Sequence, residues 1–339
     1  MPVLYSTSSA ENFAEGAIKI LNSLGVVDYL SFGAETANIN ILNTIADILY
    51  EEPKEFNGLL HHELDKGISY PKARENALLM YLRDVRKYSN ILSSPNNILG
   101  IEYLKSLKKY NSNIKPISIN RFEIEHNELE ISNNIASSTA IRNILKNNGF
   151  DIVKNLIPGT TFNTLLNNIK IGHVIPDLSV FEKQIIYNLR KLSLKEISEL
   201  PDVSEGLENS IKSTANSCNS IVEFLNIIKS KRYTSTRIQR ILLYSLLNIT
   251  KKDMLISKKT SPYIRVLGFN DRGKYIISEV AKLNPKLPII TSVKKFVDSN
   301  TNKNLKLMLD KDIWATDVYT VGYEYDSWSN LDFTQKMVI

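Results

Sequence analysis

Residues 26–36 read VVDYLSFGAET. An apolar run from Val26 to Phe32 stops at Gly33 and is flanked on both sides by helical patterns. On the amino side, Ser8 and Glu11 have the spacing of a capping box. The helix they open is expected to run to about Leu24 and stop at Gly25, with Phe13, Ala17, Ile18, Ile20 and Leu21 mostly along one stripe. On the carboxyl side, 38–50 and 53–64 have helical spacing. Helix, strand, glycine, helix is the pattern of a doubly wound α/β sheet. Gly33 then falls at the carboxyl end of a strand, where a missing side chain lets a nucleotide approach the backbone; equally, it serves a plain turn. The opening Pro2–Tyr5 reads as the tail of a strand running into the helix cap, or as a short terminal arm.

Further along, 70–88 predicts one long helix with Pro71 in its first turn and Arg83, Arg86 and Lys87 late. Ser94-Pro95 opens another, whose Ile98, Ile101, Leu104 and Leu107 form a buried stripe. Residues 114–119 return as a strand, and Ser137-Ser138-Thr139 start a helix with Ile141, Ile144 and Leu145 inward. From Asp151 to about Lys251 nearly every periodic segment is helical, with breaks at Pro158-Gly159, Pro176-Asp177 and Pro201-Asp202. Residues 263–269 and 288–292 are strand-like around a helix from Arg272 to Leu283. The expected architecture is a Rossmann-like sheet domain (1–150), a helical region (151–255) and a small C-terminal α/β region (256–339).

A length of 339 residues, 43% hydrophobic and 23% charged, is that of a globular chain of about two domains. Lys+Arg 42 against Asp+Glu 36 gives a net charge of +6, which permits an anionic partner without requiring one. The single cysteine, Cys218, excludes an intrachain disulfide and a cysteine-based metal cage, and is read as structural. The start carries no signal-peptide pattern and no apolar run reaches the ~18 residues of a membrane span. A cytoplasmic protein without a membrane partner is therefore expected.

Two constellations could carry chemistry. Ser137, Ser138 and Arg142 at a helix start offer hydroxyls, backbone N–H groups and a guanidinium to a phosphate; the plain reading is an ordinary cap with a surface arginine. Lys229, Lys231, Arg232, Arg237 and Arg240 crowd around Tyr233. A helix from Thr234 turns Ile238, Ile241 and Leu242 inward and places Arg237, Arg240 and Tyr244 on another face. That suits a nucleic-acid backbone, or simply a solvated face. Lys251, Lys252, Lys258 and Lys259 extend the positive character. His61, His62, His126 and His173 make no metal-ligand pattern, and no P-loop, GxGxxG or GxSxG occurs.

Taken together, LSSPNNILGIEYLKSL (92–107), IKPISINR (114–121), IASSTAIRNIL (135–145), KSKRYTSTRIQRILLYSLL (229–247) and SPYIRVLGFNDRGKYII (261–277) resemble the bacterial tRNA(Met) cytidine acetate ligases, within the HxGH-type nucleotidylyltransferases. The opening 2–21 and 30–36 are similar to that family's interior. The resemblance implies an enzyme that activates acetate with ATP to acetyl-adenylate and acetylates N4 of the wobble cytidine of elongator tRNA(Met). It implies ATP contacts from Gly33, Asn96 and Arg121, a phosphate-facing role for Ser137, Ser138 and Arg142, and tRNA contacts from Lys231, Arg232, Arg237 and Arg240. Mg²⁺ as a companion of ATP stays open, as does oligomeric state. The family's His-x-Gly-His occurs nowhere in this sequence. About two βα units, on the order of 60–70 residues, are therefore expected to be missing ahead of Met1, with impaired activity as the consequence. The alternatives are a non-catalytic tRNA-binding remnant and a small-molecule nucleotidylyltransferase.

Overall fold

The computed structural model describes residues 1–121, 136–147, 149–173, 177–204, 206–229, 233–325 and 328–338. The first part of the chain runs α1 (Val3–Ser6), α2 (Ala10–Leu24), β1 (Tyr29–Ala34), α3 (Ile39–Glu51), α4 (Lys54–Leu64), α5 (Tyr70–Leu82), α6 (Val85–Tyr88), α7 (Pro95–Lys109) and β2 (Lys115–Asn120). Strands β1 and β2 pair in parallel, from Tyr29 opposite Lys115 to Ala34 opposite Asn120. Helix α7 packs against α2, α3 and β1. Its approach to the sheet is close: a Cβ on Gly100 would lie 2.6 Å from the Phe32 ring, so only glycine permits it. Ile18, Leu42, Ile45, Ile101 and Leu104 fill the core between these helices and are at most 2% exposed. The alternating Phe32 and Ala34 of β1 are buried while Ser31 and Gly33 are exposed, the period-2 pattern of a strand covered on one face.

The sequence reading needs three corrections here. Residues 3–6 form a helical turn, not a strand tail: Leu4 and Tyr5 are buried among residues of the distant helical core, and the Tyr5 hydroxyl donates to Ser257 O at 2.6 Å. The Ser8–Glu11 capping box does not form. Ser9 is the N-cap, and the Ser8 hydroxyl donates to Leu4 O at 2.5 Å, although the helix still ends at Gly25. The long helix at 70–88 is two, because Arg83 takes a left-handed conformation (φ 56°) and Asp84 caps a new turn through the N–H of Lys87.

The next stretch runs α8 (Ser138–Lys146), α9 (Phe150–Val153), α10 (Gly159–Lys170), a 3-10 turn at Leu178–Phe181, α11 (Glu182–Lys191), α12 (Leu194–Ser198), α13 (Leu207–Ser217), α14 (Ile221–Ile228), α15 (Ser235–Leu247) and α16 (Lys251–Lys259). The chain closes with β3 (Ile264–Arg265), α17 (Asp271–Leu283), β4 (Ile289–Ile290), α18 (Val293–Ser299), α19 (Lys303–Val321) and α20 (Leu331–Thr334). Strands β3 and β4 are again parallel, joined by a crossover through α17. One apolar cluster joins Phe181 and Ile185 to Ile241, Leu242, Tyr263, Ile290 and Met308, and takes in Leu4 and Tyr5. Cys218 is buried within it, and its carbonyl accepts from Arg190, in keeping with a structural role. No helix among the described residues is long and apolar enough to cross a membrane.

Candidate nucleotide-binding site

The carboxyl ends of β1 and β2 bring three of the expected residues together. Helix α7 begins with Pro95, which has no N–H to offer, so Asn96 and Asn97 carry its first open backbone donors. Both donate to Glu35, two residues past Gly33: Asn96 N to Oε1 at 3.2 Å and Asn97 N to Oε2 at 2.8 Å. The Asn96 side-chain amide adds a third bond, Nδ2 to Oε1 at 2.7 Å. Its carbonyl oxygen, thus aimed, accepts from Arg121 Nη1 at 2.8 Å. Arg121 follows β2, and its N–H extends the ladder to Ala34 O at 3.0 Å. The aliphatic part of Arg121 lies over Gly33, where a Cβ would meet its Cγ at 3.0 Å. Asn97 secures the same turn from below: its Oδ1 accepts from Thr36 N at 2.8 Å and it is 1% exposed.

The electrostatics follow from these bonds. Partial burial pushes the Glu35 carboxyl up, but the donors from the Asn96 side chain and the two backbone N–H groups outweigh it, so its pKa is lowered and it stands ionised. The carboxylate occupies the positive end of α7. The exposed cation of the group is Arg121, held through Asn96 at the strand ends beside a bare glycine backbone. That arrangement presents a fixed guanidinium at the strand ends, where it can meet an anion such as a phosphate.

Ser137, Ser138 and Arg142 stand apart from this group. Ser137 is the N-cap of α8, its hydroxyl accepting from Ala140 N at 3.0 Å, and Arg142 Nη2 donates to Thr139 Oγ1 at 3.2 Å. No hydrogen bond joins α8 to Gly33, Asn96 or Arg121 among the described residues. Residues 122–135, between β2 and α8, lie outside the description.

The basic stretch is only partly described, since Lys231 and Arg232 lie outside it. Arg237 and Arg240 are engaged within the protein. Arg237 gives Nε and Nη2 to Asp202 O at 2.8 and 2.7 Å, and its guanidinium lies 5.2 Å from the Tyr233 ring centre. Arg240 Nε meets the Asp202 carboxylate at 2.7 Å. Together they hold a loop whose Asp202 has a left-handed backbone (φ 64°). Tyr244, expected on the same face, is instead 1% exposed, with its hydroxyl donating to Thr7 O at 3.1 Å. Sequence reasoning missed Glu35. The available signal was an acidic residue just past a strand-ending glycine, paired with a helix start of the form Ser-Pro-Asn-Asn.

The chain matches the family HIGH Nucleotidyl Transferase over residues 1–332. It is 42% identical over 339 residues to the tRNA(Met) cytidine acetate ligase of Caldanaerobacter subterraneus subsp. tengcongensis, covering all of this chain and 82% of that protein. It is 41% identical over 333 residues to the one from Clostridium novyi, covering 96% of this chain and 80% of the other. Among solved structures it superposes on apo Thermotoga maritima TmcAL with a TM-score of 0.92 at 32% identity, covering 99% of this chain and 82% of that one. The same protein bound with alpha-thio ATP gives 0.89 at 31% identity, covering 100% and 83%. The chain belongs to the HIGH nucleotidyl transferase family, in the branch of the tRNA(Met) cytidine acetate ligases.

Proposed function

We propose that this chain binds ATP at the carboxyl ends of β1 and β2 and serves the acetylation of N4 of the wobble cytidine in elongator tRNA(Met). The observation that carries the reading is Arg121, fixed by Glu35 through Asn96 over the bare backbone of Gly33. In the reaction, an acetate oxygen attacks the α-phosphate and pyrophosphate leaves, giving acetyl-adenylate. The cytidine amine then attacks the acetyl carbon, AMP leaves and a proton is lost from nitrogen. A positioned guanidinium favours the first step by holding phosphate charge without reorganising. Ser137, Ser138 and Arg142 are proposed as a second group of phosphate contacts. Among the described residues no three His, Cys, Asp or Glu side chains converge on a metal position.

The sequence contains no His-x-Gly-His, and we propose that turnover by these 339 residues alone is weak. The test is N4-acetylcytidine formation in tRNA(Met) from ATP and radiolabelled acetate, beside ATP binding by calorimetry. ATP binding that is lost in Arg121→Ala supports the site. Undiminished ATP binding in that variant refutes it, and robust acetylation by the chain alone refutes the proposed weakness.

A further inference from the structure

Of the RNA contacts expected at 231–240, Arg237 and Arg240 also hold the Asp202 loop. A second excess of positive charge lies further along the chain. Residues 251–306 contain thirteen Lys and Arg against four Asp and Glu, a net +9; the other 283 residues together are net −3. This window includes SPYIRVLGFNDRGKYII (261–277), which the nucleotide site does not use.

The topology gathers part of that charge at one edge. Because β3 and β4 are parallel and joined by α17, α17 starts and α18 starts both follow the carboxyl ends of this small sheet. The first turn of α17 carries Asp271, Arg272 and Lys274, and the first turn of α18 carries Lys294 and Lys295; the four cations and Asp271 are exposed, a net charge of +3. None of the four forms an ion pair with a carboxylate among the described residues. Tyr275, next to Lys274, is 68% exposed. A cluster of net positive charge costs self-repulsion, which a polyanion covering it relieves. Cations with an exposed aromatic ring among them fit a nucleic-acid strand, the cations meeting phosphates and the ring stacking on a base or sugar. A membrane surface would be met by the same cations, and the vesicle measurement below separates it from RNA.

We propose that the carboxyl edge of the β3–β4 unit, through Arg272, Lys274, Lys294, Lys295 and Tyr275, is a docking surface for the RNA backbone. The proposal rests on the reading that this chain binds tRNA. The test measures binding of a tRNA(Met) transcript between 50 and 200 mM salt. Changing Arg272, Lys274, Lys294 and Lys295 together to Gln is expected to flatten the slope of log K against log salt by about 3 units, at ~0.7–0.9 per phosphate contact. Tyr275→Ala is expected to weaken binding about tenfold or more with the slope unchanged. ATP binding and melting temperature should stay at their unmodified values in both. An unmodified slope and affinity in the fourfold variant overturn this surface while leaving tRNA binding intact. Failure of the unmodified chain to bind tRNA overturns the underlying reading instead. Loss confined to binding of phosphatidylserine vesicles, with tRNA binding unchanged, also overturns the proposal.

Discussion

Glu35→Gln tests the chain of bonds that sets Arg121. The carboxylate accepts three bonds, two on Oε1 from Asn96 and one on Oε2 from Asn97 N. Glutamine keeps the shape but has one acceptor oxygen. If that oxygen stays with Asn96, its NH₂ faces the N–H of Asn97, donor against donor, at a residue 1% exposed. If it turns to Asn97, the Asn96 amide is released and its carbonyl no longer aims at Arg121. Leaving one buried donor unsatisfied costs about 1–3 kcal/mol. At ~2–4 °C per kcal/mol, the melting temperature should fall by at least a few degrees. ATP affinity should fall about tenfold, the scale of one misplaced charge-assisted hydrogen bond. The pH dependence has a definite sign. The folded pKa of Glu35 is lowered from 4.5, so its stabilisation is fully present above 4.5 and disappears as pH falls through the folded value. The gap between the unmodified chain and Glu35→Gln should therefore be widest near neutrality and close in acid. Calorimetric titration with ATP and thermal melts from pH 7 to 3 measure both effects. Equal melting temperatures and equal ATP affinities at pH 7 would refute the reasoning.

Gly33→Ala places a Cβ 3.0 Å from Arg121 Cγ, so ATP affinity should fall a few-fold with little change in melting temperature. A loss of stability comparable to Glu35→Gln would mean the glycine serves the strand instead. Arg240→Gln breaks the ion pair that holds the Asp202 loop and should lower stability by about 1 kcal/mol while leaving the salt dependence of tRNA binding unchanged. A flattened salt slope in that variant would return the residue to the RNA surface. Tyr263→Phe removes the hydroxyl that donates at 2.5 Å to Asp312, a carboxyl whose pKa burial has already raised. A loss of about 1–3 kcal/mol is expected by urea denaturation, and an unchanged midpoint would show the bond to be dispensable.

Local patterns carried the frame of the fold. The strand ending at Gly33, the stripe of Ile101, Leu104 and Leu107 and the alternation of strand and helix at 263–292 depend on neighbours a few residues apart, and each appears close to its expected place. What escaped the sequence depends on distant partners. Val3, Leu4 and Tyr5 have strand-like side chains, but burial among residues of α16 and α19 winds them into a helical turn. Arg83 gives no sequence warning of its left-handed backbone. Tyr244 shares a helix with Arg237 and Arg240, yet α15 turns it into the core. At the site, Gly33, Asn96 and Arg121 came from resemblance, whereas Glu35, 61 residues from Asn96 in the chain, needed the geometry. Charge was legible throughout: residues 229–240 carry +5 and residues 251–306 carry +9.

The most direct test of the central claim is a crystal structure of this chain with alpha-thio ATP. The expected result is a phosphate group within hydrogen-bond distance of the Arg121 guanidinium, with the nucleoside lying against the Gly33 backbone and the Glu35–Asn96 bonds intact. Nucleotide bound away from the carboxyl ends of β1 and β2, with Arg121 untouched, would contradict it.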